Sequence, residues 1–146
     1  MVGSYDLYQL VSLSGQLARR IHVVHCERYR QDRPEDVLAF TACVQKFQSV
    51  LPHVWGEQLL QYSQALHENT LGCVGTLSSV LTRAARFAEA DGRWTVEALE
   101  RALLTDAQRT RILEEILEGE AAINPSLTRN LPPIKTAKPH RTREAA

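Results

Sequence analysis

Residues 70–92, TLGCVGTLSSVLTRAARFAEADG, decide the fold class. Val74, Leu77, Leu81, Ala84, Ala85 and Ala88 recur at three- and four-residue steps, the spacing that lines up one face of an α-helix. Asp91-Gly92 supplies a stop, because glycine takes the left-handed conformation that closes a helix. Thr70 is the expected cap, giving a helix to about Ala90. Gly72 and Gly75 fall inside this stretch. A glycine in a helix interior costs about 1 kcal/mol relative to alanine, so the pair calls for a reason. Close approach of a backbone or ligand is one. A tight helix–helix crossing, assisted by Ser78 and Ser79, is the other.

The helical period extends in both directions. Upstream, Pro34 suits a first turn, and Glu35 and Asp36 complement the positive helix end. Val37, Phe40, Val44, Phe47 and Leu51 then form an apolar face that Pro52 ends. A second helix is expected over 57–67, carrying Leu59, Leu60, Tyr62 and Leu66. Downstream, Thr95 caps a short helix with Val96, Leu99 and Leu103. Thr105 or Asp106 caps another that runs toward Glu120 with Ile112, Leu113, Ile116 and Leu117 as its stripe. The lead-in through Arg20 reads as short helix or irregular chain with Leu7, Leu10, Val11 and Leu17 on one side. Ile21-His22-Val23-Val24-His25-Cys26 is β-branched and partly alternating, which predicts one short strand. The fold class expected is therefore mainly α, a helical bundle with one N-terminal strand whose sheet partners lie elsewhere.

Composition narrows the classes of function. A content of 44% hydrophobic and 23% charged residues is that of a chain with a buried core. No apolar run approaches the ~18 residues of a membrane span, so no membrane partner is expected. The N-terminus lacks the basic and apolar regions of a secretory signal. Three widely spaced cysteines, Cys26, Cys43 and Cys73, suit a reducing compartment, and a cytoplasmic location is expected. The zero net charge conceals an asymmetry: residues 1–123 carry 12 Lys/Arg against 16 Asp/Glu. Residues 124–146 carry Arg129, Lys135, Lys138, Arg141 and Arg143 against Glu144 alone. With four prolines and no aromatic residue, that tail is expected to be flexible and to meet an acidic or phosphate-bearing partner.

Catalytic motifs are missing from the sequence. None of the seven glycines precedes a lysine, so there is no GxxxxGK(S/T) phosphate loop, and HExxH, CxxC and GxSxG are also absent. The chain alone is expected not to be an enzyme and to hold no cofactor. His22, His25 and Cys26 invite a metal reading, but His22 and His25 would face opposite sides of a strand and no second ligand pair follows. Cys43 and His53 lack a third group to make a nucleophilic pair. Arg19-Arg20 stands where lead-in meets strand. Spacing alone favours a solvated basic pair; a functional reading needs an anion for the guanidinium forks.

Two segments carry a family resemblance. The run Tyr8-x-Leu10-Val11-x-Leu13-Ser14-Gly15-Gln16-Leu17-Ala18-x-Arg20, followed by the β-like stretch and the helix containing Phe40, resembles the end of the ATPase core in TniB/TnsC-type transposition regulators. Thr70-Leu71-Gly72-Cys73-Val74-Gly75-Thr76-Leu77, with Leu81-x-x-Ala84 and Gly92-Arg93-Trp94-Thr95, is similar to their helical lid. These are AAA+ proteins that assemble on DNA and couple ATP to target-site choice by a transposase. The resemblance spans most of residues 5–120.

It implies a division into 1–30 as the end of an AAA+-like core, 31–123 as the lid and 124–146 as a basic tail. Arg20 matches the arginine that can act as a finger toward nucleotide held by a neighbouring subunit, with Arg19 the alternative occupant. In the lid motif the G-x-x-R position reads Gly72-x-x-Gly75, so the lid's sensor arginine is missing. ATP and magnesium are implied only for a full-length ATPase. The implied partners are an ATPase core or neighbouring subunits, a transposase or target-selection protein, and DNA. A free-standing helical adaptor that binds protein is the alternative, and a small helical DNA-binding protein the third reading. For the last, the helix after Thr70 has only Arg83 and Arg86 as basic residues.

Overall fold

A computed structural model describes residues 4–123, apart from the side chains of residues 10–12. The described chain is mainly helical. Two short helices, α1 (Asp6–Ser12) and α2 (Gly15–Arg20), lead in. Then come α3 (Pro34–Val50), the one-turn α4 (Pro52–Trp55), a 3-10 turn at Leu59–Tyr62, α5 (Ser63–Thr70), α6 (Val74–Asp91), α7 (Val96–Ala102) and α8 (Asp106–Ile123).

The expected strand does not form: residues 21–30 carry neither helix nor strand, and no strand occurs among the described residues. A single β-branched run has no neighbour to take its backbone hydrogen bonds, so it stays an extended connection. The basic tail and its five cations, Arg129, Lys135, Lys138, Arg141 and Arg143, lie outside the described residues.

The central helix also begins later than its pattern suggested. Thr70 closes α5 instead of capping α6, and its hydroxyl donates to the Leu66 carbonyl at 2.7 Å. Leu71 and Gly72 both turn left-handed, with φ of 56° and 73°, and Cys73 starts α6. Gly72 is therefore in a turn and not in a helix. Gly75 sits in the first turn of α6, and apart from its own chain neighbours and helix backbone no described atom lies within 4 Å of the place a Cβ would take. Among the described residues no close crossing meets Gly75; Gly72 is the glycine that another backbone approaches.

The core forms where the predicted faces meet. Phe40 and Val44 of α3, Trp55, Leu59, Leu66, and Leu77, Val80, Leu81 and Ala84 of α6 are buried together. Pro52 ends α3 by opening α4, which brings Val54 and Trp55 inward. Trp55 meets Trp94 edge to face at 4.9 Å, and the Trp94 indole N–H donates to Gln58 at 2.9 Å. Gly92 at φ 72° reverses the chain after α6, and the Thr95 hydroxyl caps α7 by accepting from the Ala98 N–H. Ala98 and Ala102, both fully buried, let α7 lie close against α6.

Along α8 the predicted stripe is used unevenly: Ile116 is buried, while Leu117 is 53% exposed. Thr105 is the cap, since its hydroxyl accepts from the Gln108 N–H at 3.3 Å. The far end of α8 holds the lead-in. Gly119 lies under the Tyr5 ring, where any side chain would collide with it.

Candidate functional site: the joint between lead-in and helical body

Glu27-Arg28-Tyr29-Arg30-Gln31-Asp32-Arg33 is the densest charge run ahead of a helix, and it forms the joint. The Tyr29 N–H donates to the Gly72 carbonyl at 3.0 Å. His67, only 4% exposed, brings Nε2 within 2.8 Å of the Tyr29 carbonyl and stacks on Phe40 at 4.3 Å. Tyr29 packs edge-on to the same Phe40 ring. A Cβ on Gly72 would land on the Tyr29 carbonyl, so glycine is required both for its φ and for the space.

Arg28 completes the joint from the other side. Its Nε donates to Glu120 of α8 at 3.3 Å and its Nη1 to the Leu71 carbonyl at 3.4 Å. The two charged side chains are 22% and 17% exposed, so the pair is half-buried and water screens it less than a surface pair. At the start of α3, Asp36 accepts from the Arg30 N–H at 3.0 Å, and Arg33 pairs with Glu27. The Tyr5 hydroxyl and His25 Nε2 are 2.9 Å apart, which fastens α1 to the extended connection. Burial, followed by the Glu120 carboxylate, raises the Tyr5 phenol above its ordinary value. Burial also raises the Cys73 thiol, against the pull of Arg28.

Beside the joint is a half-open cavity of about 380 Å³. Arg28, Arg30 and Asp32 line it from the connection, His67 and Glu68 from α5, and Arg109 from α8. Arg30 grips Asp32 through Nε and Nη2, both at 2.9 Å, which raises the guanidinium's affinity for its proton and lowers that of the Asp32 carboxyl.

The sequence-predicted residues fall elsewhere. Arg19 and Arg20 occupy the last turn of α2, both exposed and neither lining the cavity. Among the described residues no carboxylate stands within ion-pair distance of either. Gly72 is in the joint; Gly75 is on the exposed face of α6. Cys26, Cys43 and Cys73 are free thiols. No group of three His, Cys, Asp or Glu among the described residues is arranged to hold a metal ion, and no helix there is long and apolar enough to cross a membrane.

Sequence reasoning missed Arg28, Tyr29, Arg30, His67 and Arg109. The charge run before Pro34 was the available signal for the first three. His67 and Asn69, polar residues on the buried side of α5, were a second. Arg109 had no such signal. No family model matches this chain, and no curated protein matches it.

Proposed function

We propose that this chain is the lid and assembly part of an AAA+ ATPase that regulates DNA transposition and target-site choice. It contributes contacts to an ATPase core, to neighbouring subunits and to a transposase, and does not itself carry out catalysis. The observation that supports the reading is the Tyr29–Gly72 backbone bond. It joins the connection that follows the core-like motif to the glycine of the lid-like motif, two segments 43 positions apart in the sequence. Arg20 is the candidate finger and Arg19 its alternative; both are exposed on α2, next to Leu13 at 81% and Leu17 at 50% exposure. An exposed apolar pair beside two cations that meet no carboxylate among the described residues suits contact with another protein surface. The basic tail is the segment proposed to reach DNA or a transposase.

The test adds this chain to the nucleotide-binding core of a TniB/TnsC-type regulator produced as a separate polypeptide. ATP hydrolysis and assembly on duplex DNA are then followed. The expected result is stimulation by the chain that Arg20→Ala removes. A core whose hydrolysis and assembly are the same with and without the chain would overturn the reading. The free-standing adaptor is favoured instead by the same exposed Leu13 and Leu17 if the chain binds protein but leaves the core unchanged.

A further inference from the structure

Three guanidinium groups from two distant parts of the chain converge on one cavity, and one of them carries an unsatisfied donor. Arg109 Nε is buried and has no hydrogen-bond partner among the described residues. A buried donor on a cation is costly to leave unmade, and the Arg109 side chain as a whole is 41% exposed, so a turn of the guanidinium would bring that donor to an anionic acceptor. Arg28 is held by Glu120 and by the Leu71 carbonyl. Arg30 presents Nε and Nη2 as a fork, and Asp32 fills that fork with both carboxylate oxygens at 2.9 Å.

The carboxylates that line the cavity or pair with its arginines differ in how firmly they are held. Asp32 is 65% exposed and Asp106, which pairs with Arg109 through Nη1, is 98% exposed. Exposed pairs of this kind contribute little and exchange readily with solvent. Glu120, 17% exposed, stays with Arg28, and Glu68 is exposed and accepts from Gln64. Moving Asp32 outward frees the Arg30 fork toward a cavity of about 380 Å³ that Arg109 also lines, ample for a tetrahedral oxyanion.

We infer that this cavity binds a phosphate group, with Arg30 and Arg109 as its ligands and Asp32 as an internal competitor that occupies the Arg30 fork until phosphate displaces it. The site is built by this chain alone and does not depend on the lid reading. Planar guanidinium forks match phosphate oxygens two at a time, which a single ammonium does not.

The test is calorimetric titration of the full chain with inorganic phosphate at low salt, using the parent, Arg109→Gln and Asp32→Asn, each checked for an unchanged helical spectrum. The parent is expected to bind one phosphate per chain. Arg109→Gln should weaken binding about tenfold, the worth of one charge-assisted hydrogen bond. Asp32→Asn should tighten it, the opposite sign, and as a surface change it leaves the fold intact. A labelled duplex that competes with phosphate, and itself loses affinity in Arg109→Gln, identifies a nucleic-acid backbone as the source. A duplex that leaves phosphate binding untouched identifies a free phosphate or a small phosphorylated molecule. Absence of phosphate binding, or equal binding by all three proteins, overturns the inference.

Discussion

Asn69 grips the backbone of Leu104 at both ends of its amide: Nδ2 donates to the Leu104 carbonyl and Oδ1 accepts from the Leu104 N–H, each at 3.0 Å. The side chain acts as one more rung of backbone, tying α5 to the link between α7 and α8, 35 positions away. Leu104 follows the end of α7, where no helical partner remains for its polar groups. Replacing Asn69 with alanine leaves both groups half-buried and unpaired, so a loss of about 2 kcal/mol is expected. Urea denaturation of Asn69→Ala measures it, and an unchanged midpoint would show that water replaces the amide at no cost.

The two glycines of the 70–92 stretch should respond in opposite ways. At Gly72 an alanine methyl meets the Tyr29 carbonyl and the backbone stands at φ 73°, so Gly72→Ala is expected to cost more than about 2 kcal/mol. At Gly75 nothing lies nearby and the backbone is helical, so Gly75→Ala is expected to stabilise by up to about 1 kcal/mol. Thermal melts of the pair check the sign; a destabilised Gly75→Ala would point to a neighbour seated on α6.

His67 both stacks and bonds, and two substitutions separate these roles. His67→Phe keeps a ring against Phe40 but loses the contact to the Tyr29 carbonyl, an expected cost of about 1–2 kcal/mol. His67→Ala adds a cavity and should cost about 3 kcal/mol or more. Equal stability of His67→Phe and the parent would mean that the Tyr29 carbonyl is satisfied without it.

Cys73 and Tyr5 make the protein sensitive to alkali. Burial raises the thiol above its ordinary 9.0 and the phenol above its ordinary 10.0. An acid that holds its proton more tightly when folded adds stability that is full below its unfolded value and is lost as pH rises through the folded one. The urea midpoint is therefore expected to fall over the alkaline window that opens at these ordinary values of 9.0 and 10.0, with a shallower fall in Cys73→Ala. A midpoint that is flat or rising across that window would contradict the burial of both groups.

The helices were readable because each needs only its own neighbours in sequence. The face of Phe40 and Val44, the Thr95 cap and the Gly92 stop all follow from spacings of a few residues. The start of α6 was misread because Thr70 is a sound cap by local chemistry. What overrides it is Tyr29, far away in sequence, whose N–H reaches Gly72 and holds 71–72 out of the helix. The strand was misread for a related reason, since a β-branched run states a preference and only a partner strand can satisfy it. The cavity was illegible because Arg109 joins Arg28 and Arg30 only after α8 has crossed back over the lead-in. Charge patterns along a chain reveal runs and not such meetings.

Arg28 reaches Leu71 across 43 positions and Glu120 across 92. By contrast, α6 and α7 are joined by a turn of four residues, 92–95. Closing a longer loop costs more entropy before any contact rewards it, so the α6–α7 hairpin sets early and the joint sets late. During synthesis Arg28 and Tyr5 wait for Glu120 and Gly119, which are among the last described residues to be made. The joint thus gives the molecule a folding order in which its first and last described helices become native together.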